Sequence, residues 1–196
     1  MDSRVFYQKV GDCQMLRCAW ACSKNPKYVQ YHDEEWGKPL HGDCKLYELF
    51  ILECFQAGLS WECVLNKRED LKQAFANFDI NKVVKFDEEK IKELLANPNI
   101  IRNKIKIKAA IRNSVIFKII QKEFGSFDKY IWSYTDGKTI EEEYTSRTTS
   151  PLSDEISKDL KSRGMTFVGS ITIYSFLQAC GIINGHSKFC KFYKNS

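Results

Sequence analysis

The chain has 196 residues, of which 43% are hydrophobic and 13% aromatic, a composition that supports a packed core and excludes a disordered protein. Its formal net charge of +5 is compatible with a polyanionic partner without requiring one. No stretch approaches the roughly 18 apolar residues of a membrane span, and the first residues lack the apolar core of a signal peptide. We therefore expect a cytoplasmic protein that does not enter membranes, with most of its eight cysteines reduced and buried.

The apolar periodicity and the capping residues predict an all-α protein with no convincing sheet. Asn25 followed by Pro26 has the order of a cap and a first helical residue, and Gly125 ends the longest helical pattern. Ser153 is predicted to cap a helix that ends at Gly164. The predicted helices cover residues 27–35, 44–57, 61–78, 80–86, 88–96, 103–124, 127–134, 154–164 and 170–180.

The polar stretch 135–151 is predicted to be a loop, because Asp136-Gly137 marks a turn. The sequence has no internal repeat and no low-complexity linker, so it predicts one compact unit, which can include a groove between two lobes. The domain is predicted over residues 17–190. An N-terminal extension, 1–16, and a C-terminal tail, 191–196, are predicted to flank it.

The first long predicted helix carries a carboxylate on its apolar face. Leu46, Leu49, Phe50, Glu53 and Ala57 follow the i, i+3, i+4 spacing of one helical face. The helix is apolar nearly all round, so it is predicted to be central. Burying an ionised carboxylate without partners is costly. We therefore expect Glu53 to be satisfied either by the protein or by a ligand.

The segment 99–122 contains several lysines and arginines but no acidic residue. Lys104, Lys108 and Arg112 are spaced i, i+4, i+8, roughly on one helical face, and such a face can attract phosphates. A solvated helix surface explains the pattern equally well. The preceding segment, 94–104, has the pattern of a helical hairpin whose backbone amides can hold a phosphate. It lacks the Gly-x-Gly that would make this signal specific.

Two pairs of residues have the spacing of a zinc site. His186 and Cys190 are spaced i, i+4, which places two ligands on one helical turn. Cys18 and His32 lie far upstream in the chain. Together the four residues would form a closed Cys2His2 site, which is structural because it leaves no position open for water. Such a site would hold the two ends of the domain together.

The spacing alone leaves other interpretations of these residues open. His32 can instead be a helix residue hydrogen-bonded to a neighbouring carboxylate such as Asp33. A catalytic Cys–His pair is less favoured, because nothing in the sequence selects one cysteine. The substitutes for individual zinc ligands are Cys22, His41 and Cys44.

A group of aromatic residues lies in the same third of the chain as Glu53: Trp20, Tyr28, Tyr31, Trp36 and Trp61. Aromatic side chains most often form a core, but several of these lie in short predicted helices and turns, where rings more often line a pocket. A cavity of rings with one carboxylate suits a planar, cationic or amino-bearing ligand, through stacking, cation–π attraction and one directional acceptor.

A series of short motifs runs in order from about Leu16 to Cys190. They include Arg17-Cys18-Ala19-Trp20, Tyr31-His32-Asp33-Glu34-Glu35-Trp36-Gly37, Glu53 with Gln56-Ala57-Gly58-Leu59-Ser60-Trp61, Asn99-Ile100-Ile101-Arg102-Asn103, Phe167-Val168-Gly169 and Gln178-Ala179-Cys180-Gly181. On these motifs the chain resembles the 3-methyladenine DNA glycosylase I family.

The resemblance implies a helix–hairpin–helix fold with residues 97–106 as a divergent DNA-binding hairpin. It implies a structural zinc bound by Cys18, His32, His186 and Cys190. It also implies that Glu53, Tyr31 and Trp61 contact a damaged base. The residues expected near that base are Trp20, Tyr28 and Trp36, and those expected to contact DNA are Gln56, Leu59, Arg102, Lys104 and Lys106.

From the resemblance we predict an enzyme of base-excision repair that flips N3-methyladenine out of double-stranded alkylated DNA and hydrolyses its N-glycosyl bond. Nothing in the sequence selects a lysine for Schiff-base chemistry, so strand cleavage is not expected. The alternative is a zinc-containing DNA-binding or damage-sensing module without catalysis. A zinc deaminase is disfavoured, because the sequence lacks His-x-Glu followed by Pro-Cys-x-x-Cys. We expect a monomer.

Overall fold

The computed structural model describes residues 17–142 and 147–193, so the predicted N-terminal extension lies outside the described residues. Within these ranges, no helix is both long enough and apolar enough to cross a membrane. The α-helices are α1 (Pro26–Glu34), α2 (Asp43–Gln56), α3 (Trp61–Asn66), α4 (Arg68–Ala74), α5 (Ile80–Val83), α6 (Glu88–Ala96), α7 (Lys104–Phe124), α8 (Phe127–Ser133), α9 (Pro151–Ser162) and α10 (Ser170–Ala179). Short 3-10 helices span Ala19–Ala21 and Ala76–Phe78.

Capping residues define several helix ends as the sequence predicts. The Asn25 side chain accepts a hydrogen bond from the amide of Lys27 at the start of α1. The Asn103 side chain accepts from two amides in the first turn of α7, and Gly125 ends this helix with a φ of +85°. A left-handed residue at a helix C-terminus favours glycine. The predicted all-α fold is confirmed.

The single helix predicted over 61–78 is wrong. The helix is interrupted at Lys67, which separates α3 from α4. The 3-10 helix after α4 contains Asn77 with a φ of +58°. Lys67 and Arg68 make distant contacts at the break. The Lys67 ammonium donates to the carbonyl of Asn99, and the Arg68 guanidinium reaches Glu35 and Glu48. Tertiary contacts here override local helix propensity.

The cap predicted for α9 is also wrong by three residues. Ser150, not Ser153, is the N-cap, and Pro151 is the first helical residue. The two serines form a reciprocal capping box, with each side chain accepting from the other residue's amide. Proline is favoured at the first helical position because its fixed φ suits a helix and because an N–H group there would have no hydrogen-bond partner within the helix. The helix therefore begins earlier than the periodicity indicates.

A small parallel pairing replaces part of the loop predicted over 135–151. Strand β1 (Ile140–Glu141) pairs with β2 (Ile183–Asn184), with Ile140 opposite Ile183. Two residues are too few to produce a period-2 signal in the sequence. The pairing holds the segment after α8 against the segment after α10.

Helix α2 lies at the centre of the fold and packs against α3, α7, α8 and α10. Phe50 is buried there against Phe117, Phe127 and Phe176, with ring centroids 5.4 to 6.3 Å away. The same helix carries Glu53 one turn before its C-terminal end. The core therefore fixes the position of this carboxylate.

Candidate active site

A cavity of about 330 Å³ is lined by side chains from α1, α2, α3 and α10. Its walls contain all the residues that the sequence places near a bound base, together with Gln56. These residues are Trp20, Tyr28, Tyr31, Trp36, Glu53 and Trp61. The aromatic residues and the carboxylate singled out in the sequence thus form one concave site.

Glu53 is the charged residue of α2 that lines this cavity. Its side chain is 4% exposed, and its Oε2 atom is buried with no hydrogen-bond partner among the described residues. Burial raises the pKa of this carboxyl to about 8, because a low-dielectric environment disfavours the charged form. The described part of the protein therefore leaves one acceptor on Glu53 unsatisfied, which is the property expected of a ligand-binding group.

Trp61 lines the same cavity and carries an unsatisfied donor. Its indole Nε1 is buried and has no hydrogen-bond partner among the described residues. The residue begins α3, where the Ser60 hydroxyl caps the helix by accepting from the amide of Cys63 at 3.2 Å. Its ring centroid lies 5.2 Å from that of Tyr31. The turn before α3 thus sets the position of both the ring and its N–H group.

The remaining aromatic residues pack edge to face around Trp20. The centroid of the Trp20 ring lies 5.3 Å from that of Tyr28 and 4.9 Å from that of Trp36. The Trp20 ring also contacts His32, with centroids 5.1 Å apart. Such contacts restrain the rings relative to one another. Trp20 therefore joins the cavity wall to the cluster of cysteines and histidines described below.

One wall of the cavity was not predicted from the sequence. It contains residues of α10 and of the segment before α9, and the Tyr174 hydroxyl donates to Glu142 at 2.7 Å. The residues that sequence reasoning missed are Arg147, Thr148, Ile171, Tyr174, Ser175 and Gln178. The motif that begins at Gln178 was a signal for this wall, but its distance in sequence from Glu53 gave no indication of contact.

Cys18, His32 and Cys190 lie together, with one potential ligand atom from each within 4.8 Å of the others. All three are buried, and the Cys190 Sγ atom lies 3.6 Å from the His32 Nε2 atom. These residues are far apart in sequence, so folding alone brings them together. The substitutes Cys22, Cys44 and His41 are not members of this cluster.

His186, the fourth predicted ligand, lies beside this cluster but is not a member of it. Its ring centroid lies 5.2 Å from that of His32, and its Nε2 atom is buried without a hydrogen-bond partner among the described residues. Its Nδ1 atom is 2.7 Å from the Asn184 side-chain oxygen, and the Nδ1 atom of His32 is 2.8 Å from Asp33. A hydrogen bond at one ring nitrogen orients the other toward a metal. The three clustered residues and the unsatisfied Nε2 atom of the neighbouring His186 are therefore the donor set that the structure offers to a metal ion.

The residues of the predicted hairpin differ in exposure. Arg102 and Lys104 are exposed beside the turn that joins α6 to α7. Lys106 is only 7% exposed, and its ammonium donates to the carbonyls of Phe55 and Ala57. The prediction that Lys106 contacts DNA is therefore wrong for this structure. Its position on the inner face of α7 directs the side chain toward the end of α2.

The sequence matches the model of the methyladenine glycosylase family over residues 20–194. This chain belongs to that family. The DNA-3-methyladenine glycosylase 1 of Escherichia coli (strain K12) is 41% identical over 183 residues, which cover 90% of this chain and 96% of that protein. The DNA-3-methyladenine glycosylase of Haemophilus influenzae is 36% identical over 178 residues, which cover 89% of this chain and 96% of that protein.

Solved structures of methyladenine glycosylases have the same fold. A crystal structure of 3-methyladenine DNA glycosylase I is similar with a TM-score of 0.85 and 41% identity, covering 89% of this chain and 98% of that one. The enzyme from Staphylococcus aureus, solved to explain recognition of 3-methyladenine, gives a TM-score of 0.87 and 36% identity, covering 91% of this chain and 97% of that one. The family predicted from the sequence motifs is confirmed.

Proposed function

We propose that this methyladenine glycosylase acts in base-excision repair by releasing N3-methyladenine from double-stranded alkylated DNA. The observation that carries the proposal is a cavity lined by Glu53 and Trp61, whose buried Oε2 and Nε1 atoms have no hydrogen-bond partner among the described residues. An aromatic cavity with one acceptor and one donor suits a flat base that has polar edges. Relatives that cover nearly all of the chain are named for this activity.

The chemistry follows from the charge of the damaged base. A base inside the duplex is unreachable, so it must rotate into the cavity, at a cost of about a few kcal/mol that is smaller for damaged bases. Methylation makes the adenine cationic and a good leaving group. The Glu53 carboxyl, neutral in the empty cavity, would ionise beside the cationic base, because a nearby opposite charge favours the charged form. Its carboxylate would then accept from the amino edge of the base. Water then completes hydrolysis at the sugar carbon.

The DNA would lie across the cavity mouth. Leu59 is 37% exposed in the turn between α2 and α3, and it can fill the space that the flipped base leaves in the stack. Its carbonyl accepts from the Gln56 side chain at 2.7 Å, which fixes the turn. Arg102 and Lys104 would bind phosphates beside the helix–hairpin–helix turn, where a lysine or arginine contributes to affinity in a salt-dependent way.

We also propose that one zinc ion is bound by Cys18, His32, His186 and Cys190. Two thiolates and two neutral imidazoles would supply all four ligands of a closed zinc site, which would stabilise the fold without taking part in catalysis. The unsatisfied Nε2 atom of buried His186 supports this assignment. The cytoplasmic location and the monomeric state stay predictions.

The experiment that tests the proposed activity is base release from methylated duplex DNA, with the released bases separated and identified. We expect free 3-methyladenine from the wild-type protein and an intact strand with an abasic site. Unmethylated duplex is the control substrate. DNA binding without any release would instead support the damage-sensing module, for which a buried carboxylate in the cavity has no evident use.

A further inference from the structure

Lys106 joins the first turn of α7 to the last turn of α2. Its Nζ atom donates to the carbonyl of Phe55 at 2.7 Å and to that of Ala57 at 2.5 Å. The last carbonyls of a helix have no partner within the helix, so the lysine satisfies acceptors that α2 leaves open. Ala57 is followed directly by the turn that carries Leu59. The contact therefore links the first turn of α7 to the start of the turn between α2 and α3.

The position of this lysine is costly for the protein. A cation in the first turn of a helix is disfavoured by the helix dipole, and ordering a lysine side chain costs up to about 2 kcal/mol of entropy. Burial also lowers the pKa of Lys106. A shorter polar residue or an apolar residue would avoid these costs. The two carbonyl contacts offset these costs, which indicates that the link between α7 and the end of α2 has a function of its own.

A third segment meets at the same point. The Lys106 ammonium lies 6.0 Å from the centroid of the Phe167 ring, in the loop between α9 and α10. Phe167 has a φ of +57°, a conformation that non-glycine residues rarely adopt. Asn113 of α7 holds this loop by exchanging two hydrogen bonds with the backbone of Thr166, at 2.8 and 3.0 Å. The loop leads into α10, which lines the cavity.

We propose that Lys106 is a positioning residue that fixes the DNA-binding hairpin relative to the Leu59 turn and the base cavity. This proposal rests on the proposed function, because the hairpin and the cavity must engage one DNA molecule together. The hairpin holds the phosphates, and the turn enters the stack only if its distance from the hairpin is correct. Lys106 itself contacts neither phosphate nor base.

The test compares Lys106→Met, which keeps the length of the side chain but removes its donors, with Lys122→Met at the exposed C-terminal end of the same helix. Single-turnover release of 3-methyladenine from methylated duplex is the first measurement. We expect the rate constant to fall about 10- to 100-fold in Lys106→Met, as for a misplaced reacting group, and to stay at the wild-type value in Lys122→Met. A loss of stability alone would reduce the amplitude and leave the rate constant unchanged.

Two binding measurements separate positioning from other roles. Free 3-methyladenine, followed by tryptophan fluorescence, should bind Lys106→Met as it binds the wild type, because the cavity walls are intact. The slope of the logarithm of the duplex-binding constant against the logarithm of salt concentration should be unchanged in Lys106→Met. In Lys104→Met its magnitude should fall by about one. A reduced slope in Lys106→Met would show a phosphate contact and overturn the proposal. Reduced affinity for the free base would overturn it as well, since the lysine would then shape the cavity.

If Lys106→Met does not fold, Lys106→Gln replaces it, because its shorter amide can donate to at most one carbonyl and therefore still breaks the double contact to Phe55 and Ala57. A release rate constant in Lys106→Gln equal to that of the wild type would overturn the positioning role, and a lower one at unchanged affinity for the free base would support it. Failure of the proposed function is distinguishable from either result. In that case the wild-type protein itself would release no base.

Discussion

Glu53 and Trp61 line one cavity, and the Oε2 atom of the first and the Nε1 atom of the second are buried without a hydrogen-bond partner among the described residues. Glu53 lies in the last turn of α2, and Trp61 is the first residue of α3. The turn between the two helices therefore determines how the two polar atoms are arranged. Unsatisfied buried groups are costly in a folded protein, and binding of a polar base removes that cost.

Replacing Glu53 with glutamine should weaken release of 3-methyladenine. The change keeps the shape of the side chain but removes its ability to ionise when a cationic base is bound beside it. A hydrogen bond to a charged group contributes about 1.5–3 kcal/mol, so we expect single-turnover release to slow by roughly 10- to 100-fold. Circular dichroism would show an intact fold. Release at the wild-type rate would show that the carboxylate has no part in the reaction.

The same substitution should change how stability depends on pH. The pKa of Glu53 rises from its ordinary 4.5 to about 8 on burial. Between these values the folded state binds one proton more than the unfolded state, so its stability falls as the pH rises through this window and levels off above it. The glutamine in Glu53→Gln does not titrate, so the stability of the variant does not have this pH dependence. We expect the variant to gain thermal stability relative to the wild type as the pH rises from 4.5 to about 8.

Scanning calorimetry of both proteins over that pH range measures this effect. Other titrating groups are common to the two proteins, so the difference between their melting temperatures isolates Glu53. Each kcal/mol corresponds to about 2–4 °C in a protein of this size. If the difference between the two melting temperatures stays constant across this pH range, Glu53 is not a neutral, buried carboxyl.

The purified protein should contain one zinc per chain. Cys190→Ser removes one thiolate from the cluster, and we expect it to lose zinc and to melt at a lower temperature, because metal binding contributes directly to folding. Cys44→Ser is the matched control, since Cys44 is exposed at the start of α2. Metal analysis by atomic absorption measures the content. Full zinc retention in Cys190→Ser would rule out the four-residue site.

Leu59→Ala should slow base release from duplex DNA without weakening the binding of free 3-methyladenine. Burying a leucine side chain contributes about 1.5–3 kcal/mol, of which a wedge between stacked bases would lose most on truncation. Val115→Ala removes a similarly exposed apolar side chain from α7 and should have no effect. If both variants release base at the wild-type rate, Leu59 does not enter the stack.

Strand cleavage should be absent in this protein. Schiff-base chemistry needs a neutral amine that can reach the sugar, whereas the buried Lys106 ammonium is engaged by two backbone carbonyls. Incubation with an abasic duplex and borohydride should trap no covalent complex. A trapped complex that disappears in Lys106→Met would show that this lysine leaves its carbonyl partners during the reaction.

The sequence by itself determined the features whose signals are local. Asn25, Asn103 and Gly125 mark helix ends through hydrogen bonds and backbone angles that involve only a few neighbouring residues. The apolar stripe that contains Glu53 indicated both a central helix and an anomalous carboxylate. The family motifs then supplied the implied roles of residues that no local pattern connects.

Only the tertiary structure decided what depends on distant contacts. It ended a predicted helix at Lys67, turned Lys106 from the DNA surface into the interior, and joined Cys18 to Cys190 in one cluster. It also added the α10 wall to the cavity. Propensity and periodicity describe a residue's neighbours along the chain, whereas these outcomes depend on which carbonyl, thiol or ring lies across the packed core.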